Sequence, residues 1–221
     1  MESRSESASP TASPDRSGLV VAGIALIALA GFGAYLWTVA PVEVPDLGDA
    51  GHVLPVPLEL PEFHLVDQRG EAFGPDRLAG RWSLLFFGYS YCPDVCPMTL
   101  QTLAQVRRHM DAESQTQLVF VSVDPERDTP QRLAEYVAYF DPALLGVTGE
   151  PDQIAALSDA AGAFHRKAER DDGGDYLVDH TTSLFLVGPE VRVQAVLHEP
   201  EDPVAFVDLL KRLRSVERSS G

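Results

Sequence analysis

Residues 82–100 read WSLLFFGYSYCPDVCPMTL, and this stretch decides the fold. Its first nine residues form a continuous apolar and aromatic run, which is typical of a β-strand buried on both faces. From Met98 to about Met110, apolar residues recur at helical spacing. The two cysteines of the chain, Cys92 and Cys96, lie between this strand and this helix. We therefore expect both at the carboxyl end of a buried strand, where ligands and reactive groups collect in open α/β sheets.

Strand-like and helix-like segments alternate along the rest of the chain. Thr129 is expected to cap a helix that has Pro130 at its first position. Strands alternating with helices indicate an α/β sheet with parallel segments, to which a final hairpin adds antiparallel pairing. The predicted elements are strands at 117–124 and 144–149, helices at 130–140, 150–162 and 201–215, and a hairpin over 180–199.

The amino-terminal part of the chain cannot belong to the same core. Residues 1–17 are rich in serine and nearly free of apolar side chains, so we expect a disordered tail. Residues 18–40 carry no charge, and a helix of that length spans roughly 35 Å, enough to cross a bilayer. The alternative is a cleaved signal peptide with ALA at 28–30 as its cleavage site. A Pro-rich linker, 41–56, and one folded domain, 57–218, are predicted to follow.

The charges that flank the apolar segment predict its orientation. Arg4 and Arg16 precede the segment, and the next basic residue after it is Arg69. The positive-inside tendency therefore leaves the tail in the cytoplasm and exports the domain. Acidic residues in the tail argue against a mitochondrial presequence. We expect a single-pass protein of the bacterial cytoplasmic (inner) membrane with its globular domain on the periplasmic side.

The net charge of −16 limits the partners of the chain. So acidic a protein repels nucleic acid and anionic lipid surfaces, and it suits a basic or cationic partner. A domain of this size has enough core to fold without a disulfide, even in an oxidising compartment. The two cysteines are therefore expected to serve reactivity.

Three kinds of chemistry are open to Cys92 and Cys96. Pro97 is expected to put Cys96 near the N-cap of the helix, where the positive helix end favours a thiolate. A disulfide across a loop of about five residues would stabilise the fold by only about 2 kcal/mol. Thiol exchange is open, although its usual motif has two intervening residues. The wider loop, with its prolines, suits two thiolates that chelate one soft ion, preferably Cu(I).

A two-sulfur metal site needs a third ligand from elsewhere in the chain. His180 is the candidate, because it lies at the mouth of a predicted buried strand and imidazole suits copper. Met98 could offer a thioether, but a helix-core role is the favoured reading. The other histidines are predicted to be solvated or structural: His52, His64, His109, His165 and His198.

Four segments together resemble the Sco (SenC/PrrC) family of membrane-anchored copper proteins. The resemblance extends from about residue 58 to 215, includes the single amino-terminal span and is specific. Its segments are FFGYSYCPDVCPMTL (86–100), VSVDPERDTPQRLAEYVAYF (121–140), GVTG (146–149) and DYLVDHTTSLFLVGP (175–189). The chain departs from the family pattern at Ser90, where threonine is common, and at GPEVRV, which lacks the usual Asp-Gly of that hairpin.

The resemblance implies a thioredoxin-like fold, with a mixed central sheet flanked by helices. It also implies that Cys92, Cys96 and His180 hold copper, as Cu(I), Cu(II) or both. Family members deliver copper to the binuclear copper A site of cytochrome c oxidase, or keep the cysteines of that site reduced. The implied partners are the copper-A-bearing subunit and other periplasmic copper carriers. Asp94 and Asp124 are candidates for a place beside the metal or for partner docking.

A copper metallochaperone, rather than a catalyst, is therefore the leading hypothesis. The alternative is a thiol–disulfide oxidoreductase that keeps the oxidase cysteines reduced, with Cys92 as nucleophile and Cys96 as resolving thiol. A peroxiredoxin-like peroxidase and a copper or redox sensor are further hypotheses.

Overall fold

The computed structural model describes residues 16–38, 45–111, 116–168 and 176–218. The chain divides into two compact units, of which the first is Met1–Glu43. That unit contains helix α1 (Arg16–Thr38), which covers most of the predicted anchor. No helix within the described ranges combines the length and the apolar character that a membrane span requires. Most of the predicted tail lies outside the described residues.

The second unit, Val44–Gly221, is an α/β domain with one large sheet and one two-stranded ribbon. Its strands are β1 (Gly51–Glu59), β2 (Leu65–Asp67), β3 (Ala72–Phe73), β4 (Ser83–Gly88), β5 (Gln117–Ser122), β6 (Leu145–Gly149), β7 (His165–Ala168), β8 (Leu177–His180), β9 (Leu184–Val187) and β10 (Arg192–Leu197). Its helices are α2 (Val95–His109), α3 (Pro130–Phe140), α4 (Pro151–Ala161) and α5 (Pro203–Arg218).

The large sheet is mixed, as the sequence predicts. Its strands lie in the order β1-β10-β9-β4-β5-β6-β2-β3. Strand β5 runs parallel to both β4 and β6, whereas the other neighbours in this sheet pair antiparallel. Strands β7 and β8 form the separate antiparallel ribbon. Helices therefore connect the parallel strands, and hairpins build the outer part of the sheet.

The centre of the domain lies around β4. All six residues of β4 are buried, which explains why its sequence is continuously apolar instead of alternating. Across the ladder, the rings of Phe86 and Phe120 lie 5.9 Å apart between centroids. Helix α2 packs against α3 and α5, and α3 packs against β6. At the start of α3, the Thr129 hydroxyl accepts a hydrogen bond from the Arg132 N–H, so the predicted cap is confirmed.

The parallel pairing of β4 with β5 fixes the position of the cysteines. The two strands stay in register from Ser83 and Gln117 to Gly88 and Ser122. Their carboxyl ends therefore lie side by side at the same end of the sheet. The Val123 N–H still donates to the Gly88 carbonyl, at 2.8 Å. The loop that carries the cysteines therefore starts beside the loop that follows β5.

Two boundaries differ from the sequence prediction. Residues 51–56, predicted as linker, form the first part of β1, which pairs with β10. Two prolines hide this strand in the sequence, but an edge strand tolerates proline, and the ladder shifts register between Val53 and Leu58. The predicted hairpin over 180–199 is shorter than expected, because it contains only β9 and β10, whereas His180 ends β8 in the ribbon.

The hairpin between β9 and β10 turns without an Asp-Gly pair. The Val191 N–H donates to the Gly188 carbonyl at 3.0 Å, and the Gly188 N–H donates to the Arg192 carbonyl at 2.9 Å. Val191 has a φ of 60°, in the left-handed region that a β-branched residue seldom adopts. The hairpin therefore forms without the Asp-Gly pair of the family, and Val191 adopts the left-handed conformation at the turn.

Gly88, the last residue of β4, leaves room for a sulfur atom. A Cβ atom at this position would lie 2.8 Å from the Sγ of Cys96 and 2.8 Å from a ring carbon of Phe120. Neither neighbour can move freely, because both side chains are fully buried. The glycine therefore lets the first turn of α2 pack directly on the end of the strand.

We predict that Gly88→Ala lowers the free energy of unfolding by about 1–3 kcal/mol, because it overpacks this contact. Urea denaturation of the full chain measures the change. The matched background is Cys96→Ala, which removes the sulfur and should make the same glycine substitution less costly. An equal cost in both backgrounds would contradict the proposed contact.

Candidate metal centre

Cys92, Cys96 and His180 converge at the edge where β4 ends. One ligand atom from each residue lies within 4.8 Å of the other two. The Sγ of Cys96 and the Nε2 of His180 are 3.3 Å apart, although the residues are 84 positions apart in the chain. Cys96 is fully buried, whereas the other two side chains are partly accessible. The structure thus brings together the three residues that the resemblance implied as copper ligands.

The cysteine loop enters α2 earlier than the sequence predicts. The helix begins at Val95, with Asp94 at the N-cap, so the prediction that Cys96 lies near the N-cap is wrong by about two residues. Proline is tolerated as the third helical residue, because the first turn has no intrahelical partner for its N–H groups. One of these free donors, the Cys96 N–H, points to the Sγ of Cys92 at 3.5 Å. The helix start therefore stabilises negative charge on Cys92.

His180 is held in one orientation by the backbone and by aromatic rings. Its Nδ1 donates to the carbonyl oxygen of Thr181 at 3.0 Å. In the neutral imidazole, Nε2 then carries the lone pair, and this is the atom beside Cys96. The rings of Phe86 and Tyr89 contact the imidazole edge-on, at centroid distances of 6.2 Å and 5.8 Å. The fixed tautomer is the one that a metal ligand requires.

The two sulfurs titrate very differently. The pKa of Cys92 is lowered to about 3, chiefly by the hydrogen bond from the Cys96 thiol, against the opposing effect of burial, with the His180 side chain and then backbone N–H groups of the loop adding to the effect. The pKa of Cys96 is raised, because its thiol proton is held by Cys92 and because the side chain is buried. The pair therefore shares one proton at neutral pH, and the more accessible sulfur is the thiolate.

A buried carboxylate, Asp128, ties the cysteine loop to the loop that follows β5. Asp128 accepts hydrogen bonds from the Ser90 N–H at 2.9 Å, the Ser90 hydroxyl at 2.5 Å and the Ser122 hydroxyl at 2.6 Å. The Ser90 hydroxyl also accepts a hydrogen bond from Arg132 at 3.1 Å. Sequence reasoning missed Asp128, although the same stretch supplied the predicted cap. Asp128 lies four residues after the predicted strand 117–124. Nothing in the local sequence indicates that its side chain binds the neighbouring loop.

Asp124, a sequence candidate, is also fully buried. Its carboxylate accepts a hydrogen bond from the Tyr176 hydroxyl at 2.7 Å and pairs with the Arg127 guanidinium. The guanidinium carbon of Arg127 lies 3.8 Å from the centroid of the Tyr176 ring and 5.0 Å from that of the Tyr91 ring. Asp124 therefore anchors a cationic and aromatic cluster that flanks the cysteine loop.

The remaining candidates lie at the surface. The exposed Asp94 occupies the N-cap of α2 without a side-chain capping bond, and its role stays a prediction. Met98 is 55% exposed, so its favoured helix-core role is wrong.

The donor set fits a soft metal ion. Two sulfurs and one imidazole nitrogen are ligands that Cu(I) prefers, and imidazole also suits Cu(II). Cys92 is already a thiolate, so a metal has to displace only the proton on Cys96. The fixed Nε2 of His180 supplies its lone pair without rearrangement.

Comparison with known proteins identifies the family. The family model described as SCO1/SenC matches residues 56–215, which is most of the chain. The chain therefore belongs to the SCO1/SenC family, and the fold is the mixed, thioredoxin-like α/β fold of Sco proteins. It is 41% identical over 162 residues to the human "Protein SCO2 homolog, mitochondrial". That match covers 72% of this chain and 56% of the human protein, so the chain spans little more than half of this relative.

Two solved structures show the same fold with copper bound. ScoI from Bradyrhizobium japonicum is 36% identical, with a TM-score of 0.65, and the match covers 70% of this chain and 99% of that one. ScoI from Arabidopsis thaliana is 35% identical, with a TM-score of 0.64, and covers 70% of this chain and 98% of that one. The predicted family is therefore confirmed.

We predict that iodoacetamide labels Cys92 first and at a rate that is nearly constant from about pH 5 to about pH 8. The reason is that a thiol with a pKa of about 3 is already ionised throughout this range. Peptide mass spectrometry of timed samples of the full chain measures the site and the rate. In Cys96→Ala the thiol donor is lost, so the pKa of Cys92 should rise and its labelling should become strongly pH-dependent. A wild-type rate that rises about tenfold per pH unit across the range would contradict the shared proton.

Proposed function

We propose that this chain is a membrane-anchored copper metallochaperone that delivers copper to the binuclear copper A site of cytochrome c oxidase. The observation that carries the proposal is the convergence of Cys92, Cys96 and His180 within 4.8 Å at the edge of the sheet. The two copper-bound ScoI structures have the same fold, and the matches cover almost the whole of each of those chains. Copper is the cargo here, and the copper-A-bearing subunit is the proposed recipient.

The residues at the site suit loading and release. Cys92 offers a thiolate at the partly open side, and the Cys96 thiol gives up the shared proton when it becomes a ligand. His180 completes the set from a separate ribbon, with its Nδ1 held by the Thr181 carbonyl. Three ligands leave room for a partner's thiolate or imidazole to approach before any of them leaves. A direct hand-over between proteins is therefore open to soft ligands.

The proposed location rests on the sequence. The uncharged segment 18–40, flanked by Arg4 and Arg16 on its amino-terminal side, supports a single membrane anchor with the domain on the periplasmic side of a bacterial inner membrane. On that side the domain would meet both the oxidase subunit and other periplasmic copper carriers. The strongly acidic composition suits cationic partners.

We predict that the reduced full chain, purified in detergent, binds one copper per chain and that His180→Ala loses most of this affinity. The substitution removes one of three ligands, and a thiolate-to-Cu(II) charge-transfer band in the wild type should shift or vanish. Titration followed by absorption and EPR measures both effects. The control is His109→Ala, which changes an exposed histidine at the end of α2. Undiminished binding in the His180 variant would exclude the three-ligand site.

A second function, thiol–disulfide exchange, is favoured by the unequal sulfurs. The accessible Cys92 thiolate would attack a disulfide in the oxidase subunit and form a mixed disulfide, releasing one partner thiolate. Cys96, which holds the shared proton, would then attack the Sγ of Cys92 and release the second partner sulfur as a thiol. The partner is left with one thiolate and one thiol, and this chain is oxidised to the Cys92–Cys96 disulfide. His180 has no necessary part in these steps.

Variants of this chain can distinguish copper delivery from thiol–disulfide exchange. If exchange is the function, His180→Ala should still reduce a disulfide-bonded copper A domain, and Cys96→Ala should trap the mixed disulfide on Cys92. Non-reducing electrophoresis and mass spectrometry detect both outcomes. If copper delivery is the function, His180→Ala should abolish transfer of copper to the reduced copper A domain, which absorption of the binuclear centre measures. Loss of transfer with unchanged exchange supports the metallochaperone.

A further inference from the structure

An arginine-lined cavity of about 460 Å³ lies at the opposite edge of the sheet from the cysteines. Its lining includes Gln117, where β5 begins, and Leu145, where β6 begins. The cysteine loop instead follows the carboxyl end of β4. This cavity is therefore distinct from the candidate metal centre, and its volume is within the range of small-molecule sites.

The lining of the cavity has a charge opposite to that of the protein. The chain has a net charge of −16 and only 17 lysines and arginines, yet four of its arginines line this one cavity. They are Arg69, Arg77, Arg81 and Arg107. No aspartate or glutamate in the described ranges lines it. Three carboxylates outside the lining pair with three of these arginines, so the four arginines and their partners keep one net positive charge, that of Arg81.

Acidic side chains hold three of these arginines without lining the cavity. Asp67, which is fully buried, pairs with Arg69 at 3.4 Å and with Arg77 at 3.6 Å, and the exposed Glu71 pairs with the same two arginines at 3.9 Å and 3.7 Å. Asp141 pairs with Arg107 at 3.0 Å. These contacts restrain the half-buried Arg77 and Arg107, whereas the Arg69 side chain is 59% exposed. Each guanidinium group keeps further N–H donors.

Arg81 is the fourth arginine and differs from the others. Within the described part of the chain, its side chain has neither an ion pair nor a hydrogen bond, and it is exposed at the rim. A guanidinium group offers a planar fork of donors that matches two oxygens of a phosphate or carboxylate. Arg81 is thus free to close on an anion that enters the cavity.

Two buried polar groups of the residues that line the cavity have no hydrogen-bond partner in the described part of the chain. They are the hydroxyl of Thr116, which is only 4% exposed, and the amide nitrogen of Gln117. A buried donor without an acceptor costs about 1–3 kcal/mol, so such groups are seldom retained without a use. Both atoms are covered in this structure, so either side chain has to turn toward the cavity before it donates to an oxyanion, whose countercharge Arg81 supplies.

We propose that this cavity binds a phosphate-bearing anion. The donors on the lining are hydroxyl, amide and guanidinium groups, and this set satisfies a tetrahedral oxyanion better than any cation or apolar ligand. The phosphate group has two sources, a free anion such as inorganic phosphate or pyrophosphate and the headgroup of an anionic phospholipid. The cavity is large enough for either a pyrophosphate or a glycerol phosphate moiety.

The test is calorimetric titration of the full chain in a non-ionic detergent. The probes are inorganic phosphate, pyrophosphate, and dihexanoyl phosphatidylglycerol, with dihexanoyl phosphatidylcholine as the lipid control. We expect one site per chain, weakened by about tenfold or more in Arg81→Gln. Thr116→Val, which keeps the shape and removes the hydroxyl, should also weaken binding. Arg108→Gln is the matched control, because the exposed Arg108 neighbours Arg107 on α2 but does not line the cavity.

Each outcome decides the proposal. Binding of phosphate or pyrophosphate identifies a free anion, and binding of phosphatidylglycerol alone identifies a headgroup; both support the site. Failure of all three probes to bind overturns it. An equal loss in Arg81→Gln and Arg108→Gln also overturns it, because the effect would then be that of net charge. Copper titration of Arg81→Gln should match the wild type, so this test is independent of the proposed copper function.

Discussion

The buried carboxylate of Asp128 is the interaction on which the candidate metal centre depends. It accepts hydrogen bonds from the backbone N–H and hydroxyl of Ser90 and from the hydroxyl of Ser122. These bonds hold the segment that follows β4 against the end of β5. A buried charge is stable only when its hydrogen bonds are satisfied, and Asp128 accepts three. Ser90 lies in the cysteine loop two residues before Cys92, so these hydrogen bonds fix the first part of the loop. The metal centre therefore depends on the strand pairing as well as on its own three ligands.

The sequence predicted the centre of the fold well and its edges poorly. The continuous apolar run of β4, the cap at Thr129 and the helical spacing after the cysteines are local signals, and each has a local physical cause. Strand β1 was missed because its stability comes from pairing with β10, more than a hundred residues away, and two prolines mask its pattern. The ribbon of β7 and β8 was missed because each strand has only four residues and is mostly not buried, so neither shows an apolar pattern.

The site shows the same division between local and long-range information. Cys92 and Cys96 are recognisable from their spacing and position after a strand, but the choice of His180 rested on context and on the family resemblance. Only the fold brings its Nε2 within 3.3 Å of Cys96. Asp128, Thr116 and the convergence of four arginines depend on chain segments distant in sequence, and no pattern within one segment predicts them. Contacts of this kind are found only once the three-dimensional positions of the side chains are known.

The proton shared by Cys92 and Cys96 has a consequence for copper affinity across pH. Two independent thiols with ordinary pKa values would release two protons on binding a metal at neutral pH, and the affinity would change about a hundredfold per pH unit. Because Cys92 is already ionised, loading releases a single proton, from Cys96. The affinity then changes only about tenfold per pH unit near neutral pH. When a compartment acidifies, such a protein therefore loses less of its copper affinity than a protein with two ordinary cysteines would.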